Sequence, residues 1–168
     1  MSLSMYQASI PVFIRMLSNL SAILDKAVAH AEAKKIDPST FTKARLAPDM
    51  LPFTFQIQTA SDTAKGCAAR LAGIEAPSFA DTESTFPELK ERIAKTIAFL
   101  QSVKAEQIDG SEERDVTLKM RRGEIHFKGQ AYLLTFALPN FYFHVTTAYA
   151  LLRNNGVEIG KQDFLGGA

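Results

Sequence analysis

The stretch LTFALPNFYFHVTTAYALLRNNG, residues 134–156, decides the fold, because it is long, apolar and aromatic and carries no acidic residue or lysine. A helix that spans a bilayer needs about 20 mostly apolar residues. This segment would place Pro139, Asn140 and His144 near the bilayer centre, which is costly. A buried helix of a soluble protein, with Gly156 as its C′ residue, explains the same pattern at lower cost. The segment therefore predicts the buried closing helix of a helical protein.

Two helices are predicted in the first half of the chain. The first runs from about residue 4 to residue 34, where apolar side chains recur three and four positions apart. Pro11 lies inside this range and either kinks the helix or marks its true start. The second helix is predicted to begin at Asp49 as N-cap, with Pro52 in the tolerant first turn, and to stop at Gly73.

A third helix is predicted to open at TFPEL, where Thr85 and Glu88 have the spacing of a capping box. Its apolar stripe consists of Leu89, Ile93, Ile97, Leu100 and Val103. With the closing helix this makes four helices in one domain that covers residues 1–168. The predicted fold class is all-α, a four-helix bundle.

The segment RDVTLKMRRGEIHFKG, residues 114–129, alternates between apolar and polar residues and predicts a small β-hairpin before the last helix. A turn at Arg122-Gly123 puts the apolar residues on one face, although a longer loop remains open because arginine is a poor first residue of a type I′ turn. In that register the predicted pairs are Met120 with Ile125, Leu118 with Phe127, and Arg121 with Glu124.

Composition excludes several classes of function. The 168 residues are 46% hydrophobic and carry a net charge of +1 with scattered charges, so neither a nucleic-acid nor an acidic-membrane partner is expected. The single cysteine, Cys67, cannot form an internal disulfide, and the N-terminus lacks the pattern of a secretory signal. A packed thiol is favoured over a reactive one. A cytoplasmic location follows as the prediction.

Three histidines raise the question of a metal site, because three imidazoles with water form a common catalytic centre. His30 points away from the apolar stripe of the first helix and is predicted to be exposed to solvent. In the register above, His126 faces Lys119 on the polar side of the hairpin, where neighbouring cations disfavour a metal. For both residues an ordinary surface position is favoured over a role as a metal ligand.

His144 differs, because it lies in a helix that is apolar on nearly every side. Asn140 lies one turn earlier and on the same face. A buried imidazole needs hydrogen-bond partners, and Asn140, Thr147 or Tyr149 of the same helix could provide them. Two interpretations stay open: a satisfied core histidine, which is the commoner case, or a ligand of a bound group.

Two stretches together identify a resemblance that covers essentially the whole chain. NFYFHVTTAYALLRNNGVEIGKQDFLG, residues 140–166, and ARLAPDMLPFTFQIQTASD, residues 44–62, resemble the DinB/YfiT-like superfamily. More closely, they are similar to one branch that is known only as a domain of unknown function. The resemblance implies a DinB-like bundle.

The wider superfamily typically holds a divalent metal with three histidines, one from the second helix and two, spaced HxxxH, from the fourth. Asn140 and His144 occupy the HxxxH positions here, so the first histidine is replaced. The second helix offers Gln56, Gln58 and Asp49 but no histidine. Loss of two imidazoles out of three weakens the binding of zinc or nickel. The resemblance therefore implies a divalent metal as cofactor only through His144, in a degenerate site.

Two functional classes follow. The favoured one is a non-catalytic or small-molecule-binding bundle that forms a homodimer, because the metal ligand set is incomplete. The alternative is a metal-dependent or His144-dependent enzyme acting on a small molecule, in the manner of the superfamily's thiol transferases and isomerases. In either class the predicted ligand-binding residues are His144, Asn140, Gln56, Asp49 and Tyr149.

Overall fold

The computed structural model of the chain describes residues 3–120 and 123–167. Four long helices follow one another as α1 (Ile10–Lys34), α3 (Phe53–Ala72), α4 (Phe86–Ser102) and α7 (Leu138–Asn154). Short helices lie between and after them, namely α2 (Ser39–Thr42), α5 (Ala105–Ile108), α6 (Gly129–Ala131) and α8 (Lys161–Leu165). The strands β1 (Asp115–Met120) and β2 (Gly123–Lys128) form one antiparallel hairpin. The mostly helical fold with a hairpin before the last long helix is confirmed, and the short helices add to the prediction.

The core lies between the four long helices. α3 contacts both α4 and α7, and α1 contacts the same two helices. Aromatic side chains meet edge-on or tilted across these contacts, with ring centroids 4.9 Å apart for Phe13 and Phe141 and 5.9 Å apart for Phe53 and Phe86. Because all four rings are fully or almost fully buried, they contribute both apolar burial and favourable ring geometry.

The helix ends follow the local sequence, with two corrections. α1 begins at Ile10 rather than near Ser4, because Pro11 fits the first turn of a helix and not its interior. α3 begins at Phe53 with Pro52 as its N-cap, so the prediction of Asp49 as N-cap was wrong. Pro52 has extended backbone (φ −69°, ψ 172°) and disfavours helical backbone in the residue before it, which keeps the helix from starting earlier.

The capping box at the start of α4 is confirmed. The side chain of Thr85 accepts a hydrogen bond from the backbone N–H of Glu88, and the Glu88 carboxylate accepts one from the backbone N–H of Thr85 in return. Hydrogen bonds from the backbone N–H groups of Ser84 and Thr85 lower the pKa of Glu88 to about 2. Gly73 ends α3 in left-handed backbone (φ 69°), as predicted.

The closing helix is longer than predicted, since helical backbone runs from Gly129 to Asn154 through a π-helical segment, Tyr132–Ala137. This π-segment ends two residues before Pro139, whose missing N–H and ring interrupt regular α-helical bonding one turn earlier. Gly156 follows the helix with φ 89° and acts as the predicted C′ residue. In the parts of the chain described, no helix is both long and apolar enough to cross a membrane.

The hairpin register differs from the prediction by two residues. Leu118 pairs with Ile125 and Val116 with Phe127, whereas Met120 pairs with Gly123. A shift of two keeps the apolar residues on one face, so the alternating pattern cannot distinguish the two registers. The observed register places Lys119 opposite Glu124 and Asp115 opposite Lys128, an ion pair at 2.7 Å. The predicted turn residue Arg122 and the predicted Arg121–Glu124 pair involve positions outside the described residues.

Candidate functional site

His144 is buried between α7 and α3, and its partner comes from α3. Its Nδ1 lies 2.8 Å from Oε1 of Gln56. The amide nitrogen of Gln56 donates to the backbone carbonyl of Leu51 at 3.0 Å, so the amide oxygen is the atom that faces the imidazole. An amide oxygen can only accept, and His144 therefore carries its proton on Nδ1. The predicted partners from its own helix are not used.

This tautomer leaves Nε2 of His144 with a free lone pair. Nε2 has no hydrogen-bond partner among the described residues, and it is not one of the buried polar atoms that lack a partner. The 9% of His144 that reaches solvent therefore includes Nε2. Burial lowers the pKa of the imidazole below its usual value. The ring is neutral at pH 7 and presents a hydrogen-bond acceptor, with Phe55 and Phe143 packed edge-on around it.

Two further hydrogen bonds continue from this pair toward the hairpin. The amide nitrogen of Asn140 donates to the hydroxyl of Thr63 at 2.8 Å. Nη1 of Arg70 donates to the hydroxyl of Tyr132 at 3.1 Å. We call the three pairs, Gln56–His144, Thr63–Asn140 and Arg70–Tyr132, the polar seam. On α3 its members are seven residues apart and lie on one face. This spacing is visible in the sequence and could have located Thr63 and Arg70, which the predicted site omits.

A cleft of about 340 Å³ opens beside the Thr63–Asn140 and Arg70–Tyr132 pairs of the polar seam, between α3, the hairpin and the π-segment. Gln56 and His144 do not line it. Its walls combine hydroxyl, amide and charged groups with apolar side chains. They are Thr59, Asp62, Thr63 and Arg70 from α3, Leu118, Lys119 and Met120 from β1, and Tyr132, Phe136 and Asn140 from the closing helical run. A volume of this size accommodates a small organic molecule, and several of these groups can form directional hydrogen bonds to it.

Not every predicted site residue lies on this seam. The structure brings His144, Asn140 and Gln56 together along α3 and α7. Asp49 is exposed in the loop before α3. Tyr149 is half-buried and packs edge-on against Phe164 of α8, with ring centroids 6.0 Å apart. Because Tyr149 is five residues beyond His144, it points to a different side of the helix.

The other two histidines lie away from the seam. His30 is half-buried and edge-on to Phe41 of α2, so the prediction of a solvent-exposed ring was wrong. Helix α2 was not foreseen, and it covers that side of α1. His126 is exposed, as expected for the polar face of the hairpin, but it pairs with Thr117, whose hydroxyl lies 3.0 Å from its Nδ1. The two-residue register shift replaces Lys119 with Thr117 as its neighbour.

A charge cluster around the buried Arg92 lies beside the cleft, and it was not predicted from the sequence. The guanidinium of Arg92, whose side chain is 1% exposed, lies 2.7–3.0 Å from three carboxylates, those of Asp62, Asp81 and Glu83. Burial acts to raise the pKa of Glu83, but hydrogen bonds from its own backbone N–H, from Gln58 and from Arg92 lower it overall. The cluster holds the loop between α3 and α4 against both helices.

The donor set around His144 does not fit the three-histidine metal site of the wider superfamily. One nitrogen of His144 is protonated toward Gln56, and the amide nitrogen of Asn140 is engaged by Thr63. Within residues 3–120 and 123–167 no three His, Cys, Asp or Glu side chains come together as potential metal ligands. The arrangement therefore acts as a set of hydrogen-bonding groups.

Comparison with known proteins places the chain. A protein-family model described as a domain of unknown function, DUF1993, matches residues 5–165. The chain belongs to this family. Among solved structures, a DinB family member protein from Shewanella denitrificans is 40% identical, with a TM-score of 0.90 over 97% of this chain and 92% of that chain. No curated protein matches.

The DUF1993 match spans the four long helices and the hairpin, so the whole polar seam lies inside the family domain. The resemblance stated from the sequence, to a DinB-like branch known only as a domain of unknown function, is confirmed by both comparisons.

Proposed function

We propose that this DUF1993 chain is a small-molecule-binding protein with the architecture of a DinB-like four-helix bundle. The observation that carries the proposal is the cleft along the polar seam, where hydroxyl, amide and guanidinium groups converge beside apolar walls. Hydrogen-bonded pairs across two packed helices hold these groups in place before any ligand arrives. Preorganisation of this kind lowers the entropy lost on binding.

The same pairs support a non-catalytic role at the metal position of the superfamily. Asn140 stands where the first histidine of HxxxH is expected, and it is committed to Thr63. Gln56, one of the three polar residues that the second helix offers in place of a histidine, is committed to His144. We propose that the metal site is degenerate and that its polar groups now support the cleft.

A fragment screen by saturation-transfer NMR tests the proposal. Thr59 is half-buried and lines the cleft, so Thr59→Phe fills the binding volume while adding a side chain that a helix tolerates. Thr117→Phe on the exposed polar face of β1 is the matched control. Fragments are expected to bind the wild-type chain and the control but not Thr59→Phe. Equal binding to all three proteins contradicts the proposal.

A His144-dependent enzyme is the second candidate, and one observation favours it. The neutral ring presents the lone pair of Nε2 toward solvent, while Gln56 fixes the tautomer through Nδ1. That is the arrangement of a general base that takes a proton from a small substrate. Elemental analysis of the wild-type chain and of His144→Ala, both purified without chelator, distinguishes a metal-dependent enzyme from one that depends on His144 alone. Stoichiometric metal that is lost on substitution overturns the degenerate-site proposal.

We also propose the homodimer expected from the sequence. Phe143 and Tyr142 on α7 are 57% and 37% exposed, and Leu165 of α8 shares a groove with Tyr142. Aromatic side chains are enriched at interfaces between protein chains. Light scattering of the wild-type chain and of Phe143→Ser is the test, and the variant is expected to dissociate at a higher protein concentration. A monomeric wild-type chain contradicts the homodimer proposal. The proposed small-molecule binding in the cleft does not depend on this result.

A further inference from the structure

We infer that the cleft takes a small organic carboxylate, whose charged group is bound by Arg70 and whose apolar body lies against the hairpin and the π-segment. The inference rests on the proposed binding function and names the class of its ligand. It starts from the position of Arg70, at the hairpin end of the polar seam.

The guanidinium of Arg70 lies beside Gly66 of α3 and Tyr132 of the π-segment. Its Nη1 donates to the hydroxyl of Tyr132, and its centre lies 5.9 Å from the centroid of that ring. Gly66, one turn earlier, leaves the space that the guanidinium occupies: an added Cβ at Gly66 would lie 2.5 Å from Nη1, and its three nearest neighbours would all be guanidinium atoms. An exposed arginine normally samples many rotamers. Here two neighbours from different segments fix it at the edge of the cleft.

Among the described residues, this arginine has no carboxylate partner. Across residues 3–120 and 123–167, no acidic side chain lies within 4.0 Å of a nitrogen of Arg70. Asp62 also lines the cleft, but its carboxylate is already bound by Lys65 at 2.8 Å and by Arg92 at 2.7 Å. A guanidinium with donors in a planar fork matches a carboxylate through two parallel hydrogen bonds.

Further groups around Arg70 complete the polar side of the site. Burial raises the pKa of Tyr132 to about 12, so its phenol stays protonated. The Tyr132 oxygen accepts from Arg70 and still has its own hydrogen to donate. Thr59 provides a further hydroxyl in the same cleft, and Lys119 a second cation from β1, where Glu124 lies opposite it across the hairpin.

The remaining walls are apolar and define the rest of the ligand. Leu118 and Met120 of β1 face the cleft from one side, and Phe136 of the π-segment from the other. Inorganic phosphate would leave these apolar side chains in contact with water, whereas an aromatic or branched aliphatic acid would cover them. Burial of apolar ligand surface adds to the charge interaction and selects for an organic acid.

Titration of ¹⁵N-labelled protein with four probes tests the inference: benzoate, benzamide, benzylamine and inorganic phosphate. The amide resonances of residues 59–70, 118–120 and 132–140 report on the cleft. Benzoate is expected to shift these resonances at concentrations at least about tenfold lower than the other three probes. Benzamide or benzylamine binding as strongly as benzoate overturns the inference but leaves a small-molecule site in place. Equal binding of phosphate overturns the role of the apolar walls.

Three variants locate the charge partner. Arg70→Ala is expected to weaken benzoate at least about tenfold, and Arg70→Lys by a smaller factor because the planar fork is lost. Lys34→Ala removes the same charge at an exposed end of α1 and is expected to leave the benzoate affinity unchanged. If Lys34→Ala and Arg70→Ala weaken benzoate binding equally, the net charge of the protein explains the effect, and the assignment of Arg70 as the carboxylate-binding residue is overturned.

Gly66→Ala tests whether the position of the Arg70 guanidinium matters, because the arginine itself is retained. Alanine is more favourable than glycine within a helix, so the thermal midpoint is expected not to fall. The added methyl group displaces the guanidinium from its place over residue 66, and benzoate binding is expected to weaken about threefold or more although Arg70 is still present. Unchanged affinity in a fully folded Gly66→Ala protein overturns the claim that this glycine positions Arg70. If benzoate does not bind the wild-type chain, the inference fails, and the fragment screen with Thr59→Phe decides the proposed function separately.

Discussion

Substitution of Gln56 by methionine is the perturbation that tests the polar seam most closely. Gln56 is 3% exposed, and it accepts a hydrogen bond from Nδ1 of His144 at 2.8 Å. Methionine matches the length of glutamine and fills the same space, so the loss of apolar packing is small. The variant leaves a buried N–H without an acceptor, which costs about 1–3 kcal/mol. The second bond of Gln56, to the carbonyl of Leu51, lies at the exposed start of α3, where water can replace it.

The expected loss for Gln56→Met is therefore about 2 kcal/mol in the free energy of unfolding. In a chain of 168 residues this corresponds to a fall of about 4–8 °C in the thermal midpoint. Urea unfolding followed by far-ultraviolet circular dichroism at pH 7.5 measures the change. At this pH both folded and unfolded states carry a neutral imidazole, so titration of His144 does not contribute.

A double-mutant cycle with His144→Phe isolates the bond from other effects. Phenylalanine removes the buried N–H, so the methionine at position 56 no longer leaves a polar atom unpaired. The double variant is expected to be more stable than the sum of the single losses by about 1–2 kcal/mol. Additive losses within about 0.5 kcal/mol would refute the bond between Gln56 and His144 as the organising contact of the seam.

Three further outcomes follow from the structure. The pKa of His144 is lower in the folded chain than in the unfolded chain, so the free energy of unfolding is constant above about pH 6.5. Below that pH the unfolded state takes up a proton, and the free energy of unfolding falls by at most about 1.4 kcal/mol per pH unit. Urea titrations from pH 7.5 to 5 measure this slope, and the same slope in His144→Phe contradicts its assignment to His144. Arg92→Met leaves the carboxylates of Asp62, Asp81 and Glu83 without their buried partner and is expected to cost about 2 kcal/mol or more in the same assay. A neutral effect shows that the cluster does not stabilise the fold. Gly129→Ala places a Cβ 2.0 Å from the backbone oxygen of Ser111 and is expected to lower the free energy of unfolding by about 2 kcal/mol or more. Gly160→Ala is the control, because its Cβ meets open space, and it is expected to change stability by less than about 0.5 kcal/mol. Similar losses in both variants refute the steric clash as the cause.

The fold was largely predictable because its signals are local. The capping box of Thr85 and Glu88 and the stop at Gly73 each depend on residues a few positions apart, and both are confirmed. The hairpin register was not predictable from alternation, since a shift of two residues keeps every side chain on its face. Glu124 faces a cation in either register, Arg121 in the predicted one and Lys119 in the observed one, whereas Asp115 faces Lys128 only in the observed register.

The site was predictable only in part, because its contacts join distant segments. His144 and Asn140 stand out within their own helix, but their partners Gln56 and Thr63 depend on how α3 is set against α7. A single sequence does not give that relative position. Arg92 was missed because a charged residue is normally assigned to the exposed face of a helix.

A helical projection does contain a signal for Arg92. The residue lies three positions after Leu89 and four before Thr96, both of them buried, so it shares the inner face of α4. A charged residue on that face requires partners of opposite charge, which Asp62 of α3 and Asp81 and Glu83 of the loop between α3 and α4 provide. A helical projection of α3 likewise shows that Gln56, Thr63 and Arg70, spaced seven residues apart, share one face.

The most direct test of the binding proposal is a crystal structure of the chain soaked with the strongest fragment from the NMR screen. The proposal predicts density for the fragment in the cleft between α3, β1 and the π-segment, within hydrogen-bond distance of Thr59, Thr63 or Arg70. A fragment that sits in the groove beside Tyr142 and Leu165 while the cleft along the polar seam stays empty would contradict it.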